Sequence, residues 1–347
     1  MTANEAGPLV GRDAVAPRDR AALSSGAGVI VRPGLARFRL VGDGRTACLQ
    51  GLVTCDVEQP GDGGRDGARM PGALLTTRGM IVAPLAVTRL ADALIVEAPA
   101  VGAAAVATVF GRSLPPRLCR FEDVTEASRS IGAYGPQAAD LLAAALGGAL
   151  PAAPGQVASL PCGHGTAVVA RVVADGLDGF ECLVASDDAP ALVADLAARG
   201  AHPLPPALLE ERRILAGVPR LGAEIDDRTL PQEARLDALG AVSFTKGCYL
   251  GQETVARIHF RGHPNRWLAG LALEREPASV PLDVAAQDRP AGRLTSACWW
   301  ESGHQWVGLA VLRRDVESGA TVTLPDGAAA RARELPWEPA SGPEGQT

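Results

Sequence analysis

Residues 243–263 read Ser-Phe-Thr-Lys-Gly-Cys-Tyr-Leu-Gly-Gln-Glu-Thr-Val-Ala-Arg-Ile-His-Phe-Arg-Gly-His, and the rest of the chain is interpreted outward from this stretch. From Tyr249 to about His259 the apolar spacing is typical of a helix, which places Cys248 close to a helix N-terminus. Unpaired N–H groups at a helix N-terminus and the nearby ammonium of Lys246 both lower the pKa of a thiol. The pattern therefore predicts a reactive thiolate at Cys248. The alternative is a buried structural cysteine that follows a turn glycine.

The overall charge of the chain is acidic. Its 347 residues carry 33 Lys and Arg against 39 Asp and Glu, which gives a net charge of −6. Such a balance argues against broad binding to nucleic acids or membrane surfaces, so we expect no direct nucleic-acid binding. A local basic patch is still compatible with this charge. The length corresponds to about two or three domains.

Cysteine usage indicates a reducing compartment. The seven cysteines are odd in number and include no C-x-x-C pair, so free thiols in a cytoplasmic protein are expected. Residues 1–28 lack the apolar core of a signal peptide. No stretch of about twenty apolar residues predicts a membrane span. We therefore expect a cytoplasmic protein that has no membrane partner.

The order of predicted elements indicates an α+β fold. Residues 130–200 read as β-α-β-β-α, which suggests an antiparallel layer with helices rather than a doubly wound parallel sheet. After Arg266, short strands separated by turn residues predict a small all-β barrel domain. The predicted units are a mobile tail at 1–24, two α+β subdomains within 25–265 (boundary near 118–130, the chain returning near 205), a C-terminal β-barrel at 266–337, and a tail at 338–347.

The side chains around Cys248 leave several chemistries open. A basic cluster is either a solvated surface or a dock for carboxylates or phosphates, and it comprises Arg257, His259, Arg261, His263 and Arg266. A cysteine–histidine hydrolase would pair Cys248 with one of His164, His202 and His304. No phosphate-binding or dinucleotide-binding glycine motif is present. No metal site is predicted, because closed zinc sites usually need four ligands at short paired spacings.

The stretch Lys-Gly-Cys-Tyr-Leu-Gly-Gln-Glu at 246–253 resembles the K-G-C-Y-x-G-Q-E signature of the YgfZ family of folate-binding proteins. The flanks agree, with Leu-Pro-Gln-Glu at 230–233, Val-Ala-Arg at 255–257 and Phe-Arg-Gly at 260–262. This family is similar in fold to the aminomethyltransferase (T protein) of the glycine cleavage system. Its mitochondrial counterpart serves iron–sulfur cluster assembly. The resemblance covers roughly residues 25–335 and implies a tetrahydrofolate site at a central opening.

The resemblance also implies which residues act. Glu181 lies in the Gly-Phe-Glu segment that contacts the pterin in the transferase, and Arg213 lies at the helix end whose arginine helps to hold folate. Glu97 lies where the transferase has a pterin-binding asparagine. The functional motif comprises Cys248 and Lys246 as the reactive pair, with Gly247, Tyr249, Gly251, Gln252, Glu253 and Arg257.

One departure from the transferase affects the expected activity. Residues 78–84, where the transferase has an aspartate, contain no carboxylate, so we expect no aminomethyl transfer. The leading expectation is a monomeric folate-binding accessory protein for iron–sulfur enzymes or their assembly proteins, with a part in tRNA modification. One alternative is a folate-dependent one-carbon transferase that uses Cys248 or Glu253 in place of the aspartate. Another is a scaffold with an inert cysteine.

Overall fold

The computed structural model describes residues 9–59 and 67–338. Residues 1–8, 60–66 and 339–347, which include much of both predicted tails, lie outside the described ranges. The described strands are β1 (Leu9–Val10), β2 (Gly28–Val31), β3 (Leu35–Val41), β4 (Gly67–Leu75), β5 (Ile81–Leu90), β6 (Leu94–Pro99), β7 (Arg120–Asp123), β8 (Ser128–Tyr134), β9 (Gln156–Cys162), β10 (Gly165–Ala174), β11 (Leu177–Ala185), β12 (His202–Pro203), β13 (Arg266–Leu273), β14 (Leu282–Ala286), β15 (Arg289–Trp300), β16 (Gln305–Arg313), β17 (Thr321–Thr323) and β18 (Ala329–Arg333).

Seven α-helices complete the described part of the chain. They are α1 (Pro17–Ser25), α2 (Arg45–Gln50), α3 (Ala103–Ser113), α4 (Ala138–Leu146), α5 (Ala189–Ala198), α6 (Pro206–Ala216) and α7 (Gln252–Arg261). Both α4 and α6 end at a glycine in the left-handed region, Gly147 and Gly217, as the sequence predicts.

One sheet runs through both α+β halves of the molecule. Among the described strands its order is β12-β2-β8-β11-β10-β9-β4-β5-β6-β3-β7, and the short pairing of β4 with β9 joins the halves. Helices α2 and α3 pack on one half of its outer face, and α4 and α5 pack on the other half. The inner face packs against α6 and the C-terminal strands. Side chains on this inner face are therefore enclosed between the sheet and the rest of the molecule.

The C-terminal strands form a closed barrel. Their order is β15-β14-β17-β18-β13-β16, and β16 pairs back to β15, so six strands close on themselves. Alternating residues such as Leu271, Leu294 and Val322 fill the interior. The expected α+β fold with a small C-terminal β-barrel is confirmed.

The N-terminal segment differs from the expected mobile tail. Residues 9–10 add a parallel strand to β15, and α1 packs near the start of β2. Asp19 accepts a hydrogen bond from the backbone of Ala16 and pairs with Nε2 of His202 at 2.7 Å, while Arg20 pairs with Glu211. His202 and Glu211 are 183 and 191 residues away from Asp19 and Arg20 along the chain, so local composition does not reveal these contacts.

Candidate functional site

The cysteine motif is held against the turn between β4 and β5. Gly251 has φ +79°, and a Cβ atom there would lie within 3.0 Å of the backbone of Gly79 and would also meet the carbonyl of Thr76. Gly79 has φ +85° and faces Thr254 at similarly short range. Two glycines thus allow the hairpin turn and the start of α7 to touch through their backbones.

Helix α7 begins later than the sequence predicts. Its first residue is Gln252 and its N-cap is Gly251, rather than a start at Tyr249. The left-handed Gly251 turns the chain before the helix, so Cys248 lies three residues ahead of the cap. The helix N-terminus is therefore near Cys248 but does not begin at it.

Lys246 anchors the motif to the loop that follows α2. Its side chain is buried, and Nζ donates to the carbonyls of Gln50 at 2.7 Å, Val53 at 2.8 Å and Cys55 at 2.7 Å. An ammonium has three N–H donors, so these bonds use all of them. Burial lowers the pKa of Lys246. The expected pairing of Lys246 with the Cys248 thiolate is not what the structure has, because its donors point into the protein.

Tyr249 and Leu250 fix the other side of the cysteine. Tyr249 is buried in a cluster with Leu75 and Ile81, and burial raises its pKa to about 12. The backbone N–H of Leu250 donates to the carbonyl of Gly51 at 3.0 Å. Cys248 therefore lies in a short exposed segment between the anchored residues Lys246 and Tyr249.

Cys248 differs from the other thiols in exposure. All seven cysteines lie in the described ranges and are free, and Cys248 is the exposed one, while Cys48 is half-buried and the other five are buried. Burial raises the pKa of Cys55 to about 11 and that of Cys182 to about 12. Cys248 is thus the thiol that a partner can reach, whereas burial disfavours the thiolate form of Cys55 and Cys182.

The segment at 230–233, which precedes the cysteine motif, contacts α7 and β13. Gln232 donates through Nε2 to the carbonyl of Val255 at 2.8 Å, and Glu233 pairs with Arg266 at 2.8 Å. Arg266 is therefore engaged at the start of β13 and does not belong to the exposed basic cluster. Glu253 and Arg257 are exposed, and Gln252 is half-buried.

Glu97 and Glu181 come together on the inner face of the sheet. Arg69, on β4, bridges them: its guanidinium pairs with Glu97 and, at 2.8 Å, with Glu181. Glu97 also accepts a hydrogen bond from Ser130. Both carboxylates are about 5% exposed. The two residues expected to contact a pterin thus form one buried site, although they lie 84 positions apart in sequence.

Arginines pair with both of these carboxylates. Glu181 pairs with Arg32 as well as Arg69, and it accepts a hydrogen bond from the hydroxyl of Tyr134 at 3.3 Å. Burial alone would raise the pKa of Glu97, but the charge of Arg69 and the Ser130 hydrogen bond outweigh it, and the pKa is lowered. A carboxylate offers about four acceptor positions, so the pair retains capacity for a further donor.

Arg213 lies elsewhere and is fully engaged. It donates to Glu210 at 2.6 and 3.0 Å, to Glu224 at 3.0 Å, to the carbonyl of Val218 and to Ser296 at 2.8 Å. These five bonds use all five N–H donors of a guanidinium. The expected role of Arg213 in holding folate is therefore replaced by a structural one, in which α6 is tied to the barrel.

Sequence reasoning missed Arg69, Arg32 and Tyr134. Gly67, Pro71 and Gly72 argue against a strand in sequence, yet β4 starts at Gly67 and carries Arg69. In sequence, Arg69 stands between the apolar residues Ala68 and Met70, and this alternation places it on the opposite face of a strand from them.

Among the described residues, a cavity opens at the turn between β10 and β11. It has a volume of about 810 Å³ and is lined by residues that include Arg171, Gly179, Phe180, Arg212, Trp300 and Glu338. None of Glu97, Glu181, Arg213 and Cys248 lines it. Tyr249 of the cysteine motif packs in the cluster that contains Leu75, which is six positions, or about 20 Å of strand, from Arg69.

The described residues contain neither a cluster of metal ligands nor a helix that could cross a membrane. Within residues 9–59 and 67–338, no three His, Cys, Asp or Glu side chains are grouped so that they could hold a metal ion. None of the helices in the same ranges has both the length and the apolar character needed to cross a membrane.

Comparisons with known proteins agree with this fold. A family model described as the GCVT N-terminal domain matches residues 12–246. The tRNA-modifying protein YgfZ of Sodalis glossinidius (strain morsitans) is 39% identical over 121 residues, which are 33% of this chain and 37% of that protein. YgfZ of Pectobacterium atrosepticum is 36% identical over 132 residues, 36% of this chain and 39% of that protein. The resemblance to YgfZ is thus confirmed, over less than half the length of these relatives.

A solved structure shares the fold. The glycine cleavage system aminomethyltransferase T from Bartonella henselae superposes with a TM-score of 0.81 at 22% identity, covering 93% of this chain and 89% of that one. At this identity the likeness establishes the architecture alone. Because the family model spans more than half of the sequence, the chain belongs to the GCVT N-terminal domain family.

Proposed function

We propose that this chain is a tetrahydrofolate-binding accessory protein that supports tRNA modification by assisting the assembly or repair of iron–sulfur enzymes through Cys248. The exposed thiol of Cys248, held between buried anchors, carries the proposal. Membership of the GCVT N-terminal domain family and the relatives named as tRNA-modifying proteins support it. The partners are folate and iron–sulfur enzymes or their assembly proteins, and the chain acts as a monomer in the cytoplasm.

The site residues have distinct roles in this proposal. Cys248 is the reacting group, and Lys246, Tyr249 and Gly251 position it through the contacts described above. Lys246 acts through the three carbonyls it binds rather than by contact with the sulfur. Because the residues on both sides of Cys248 are anchored, its thiol stays at the surface, where a partner enzyme can reach it.

Folate fits the buried carboxylates by chemistry. A pterin presents adjacent N–H donors along one edge, and a carboxylate accepts two parallel hydrogen bonds from such an edge. Glu181 and Glu97 supply this acceptor pair, with Arg69 fixing both. Arg213 has no donor left for the acidic tail of folate, so the proposal assigns it no contact with the ligand.

The test is a calorimetric titration with tetrahydrofolate. Glu181→Gln and Glu97→Gln should each weaken binding about tenfold or more, because a lost hydrogen bond to a charged group costs roughly 1.5–3 kcal/mol. Glu338→Gln, in the 810 Å³ cavity, is the control and should bind as the wild type does. Unchanged binding by both carboxylate variants contradicts the assignment. Loss of binding by the control alone moves the ligand to the cavity.

A one-carbon transferase is the second candidate. The contact of Gly79 with the first turn of α7 brings Glu253 close to the hairpin turn, which itself carries no carboxylate. Glu253 is exposed, however, whereas a general base gains its useful pKa from a shielded site. We therefore expect no turnover of methylene- or aminomethyl-folate by the purified protein, and steady turnover that Glu253→Gln abolishes would favour the transferase.

A further inference from the structure

An aromatic and basic surface lies on the exposed side of α7, beside the cysteine motif. We call it the α7 surface, and its members are Phe244, Arg257, His259, Phe260, Arg261, His263 and Arg314. Phe260 is 67% exposed, and it is the aromatic residue among the large exposed hydrophobic side chains of the described ranges. Exposed apolar groups that cluster and are rimmed by charged residues, as here, mark interaction sites.

The rings of this surface already form a stack. The Phe244 and His259 rings lie 3.6 Å apart between centroids at an angle of 14°. Phe260 meets His259 edge-on, with centroids 4.7 Å apart. Packing against His259 therefore holds one edge of Phe260 and leaves much of the ring open to solvent. This arrangement offers a flat apolar platform of the kind on which a planar ligand stacks.

Two arginines beside these rings, Arg257 and Arg261, have no partner among the described residues. Within the described residues, Arg257 and Arg261 make no ion pair and no side-chain hydrogen bond. Arg314 donates to Nε2 of His263, because a guanidinium cannot accept. A small cavity of about 290 Å³ opens among Arg257, Arg261 and His263, and no Asp or Glu lines it. The acidic residue nearest along the helix is Glu253, one turn before Arg257.

The spacing along α7 puts cations and ring on one side. Arg257 and Phe260 are three residues apart, Arg257 and Arg261 four, so the three side chains are neighbours on the helix surface. Cys248 is four residues from Phe244, which is at most about 14 Å of extended chain. The surface is thus continuous with the region that presents the thiol.

We propose that the α7 surface binds single-stranded nucleic acid, with a phosphate between Arg257 and Arg261 and a base stacked on Phe260. Unpaired arginines beside an exposed ring are the combination that single-strand binding uses. In a duplex the base faces are stacked on one another, so none is available to Phe260. A purely acidic peptide would pair with the arginines and leave the Phe260 ring without a contact. The proposal goes beyond the accessory function above and rests on neither folate nor Cys248 chemistry. It also revises the expectation from net charge, because the basic patch is local.

Fluorescence anisotropy with labelled 12-nucleotide single-stranded RNA and DNA tests the proposal at 50 mM salt. Phe260→Ala should weaken binding about tenfold, within the range for one lost base stack. The double variant Arg257→Gln/Arg261→Gln should reduce the slope of log Kd against log salt by about 0.7, the value for one phosphate of a single strand. Arg112→Gln/Arg117→Gln removes the same charge from exposed positions near α3 and should leave the slope unchanged.

The outcomes separate the alternatives. A stronger effect with RNA than with DNA identifies RNA as the ligand, and equal effects identify single strands in general. Absence of binding by the wild type at low salt overturns the proposal. Equal losses in the control variant, or tighter binding of a poly-glutamate peptide than of either oligonucleotide, also overturn it, the latter in favour of an acidic protein partner.

Discussion

At the residue scale, two glycines of the cysteine motif have different structural roles. Gly251 is left-handed and touches the backbone of Gly79, whereas Gly247 has open space where a Cβ would lie. Gly251→Ala should therefore lower the free energy of unfolding by about 2 kcal/mol or more through strain and displacement of the hairpin turn. Gly247→Ala should change it by less than about 0.5 kcal/mol. Urea titrations compare them, and equal effects would contradict the described contact.

Lys246 is a second residue whose role the structure redefines. Lys246→Met leaves three buried carbonyls without a donor, so we expect a loss of roughly 3 kcal/mol of stability or more. The alkylation rate of Cys248 against pH, measured where the variant is still folded, should keep its wild-type midpoint because the ammonium does not contact the sulfur. A midpoint displaced to higher pH would instead support the thiolate-holding role inferred from sequence.

At the element scale, the carboxylates of β6 and β11 are linked through β4. The pKa of Glu97 is lowered from its ordinary 4.5, so its contribution to stability is complete above that pH and is lost as pH falls through the lower, native value. Glu97→Gln should cost about 3 kcal/mol at pH 7. The difference from wild type should shrink as pH falls below 4.5.

Urea titrations between pH 7 and pH 3.5 measure this difference. Glu126→Gln is the matched control, because its side chain is 95% exposed and 3.9 Å from Arg129, and it should show almost no loss at any pH. A Glu97→Gln difference that stays constant down to pH 3.5 would mean that the carboxylate is not held ionised by Arg69.

Elements defined by local pattern are predictable from this sequence, and those defined by distant partners are not. Amphipathic spacing and a terminal glycine identify α4 and α6, because capping and burial act within a few residues. The start of α7 was misplaced by three residues, since Gly251 is shaped by contact with a hairpin 170 positions earlier.

The candidate site likewise contains residues that the sequence identifies and residues that only distant contacts reveal. Family resemblance identifies Glu97, Glu181 and Cys248, and the structure joins the first two. The bridging Arg69 has partners 28 and 112 residues away, so no local window contains the reason for its burial. Arg213 was assigned to folate from its place in a motif, and only its five contacts reveal that it ties α6 to the barrel.

At the scale of the whole molecule, the thiol and the carboxylates occupy separate regions of one scaffold. Arg213 joins α6 to Ser296 of the barrel, and Glu224 accepts from Thr295 and Ser296. The barrel and α6 are thus linked through buried charge as well as apolar packing. In the proposal above, folate binds at the buried carboxylates and the exposed thiol of Cys248 is available to a partner.

Complementation of a deletion strain tests the role of Cys248 most directly. The measured quantity is iron–sulfur enzyme activity in cells that express wild type, Cys248→Ser or Cys48→Ser at equal levels. Cys48 is half-buried, so its variant controls for loss of a thiol elsewhere in the chain. We predict restored activity with wild type and Cys48→Ser, and activity at the level of the deletion with Cys248→Ser. Full restoration by Cys248→Ser would contradict the account.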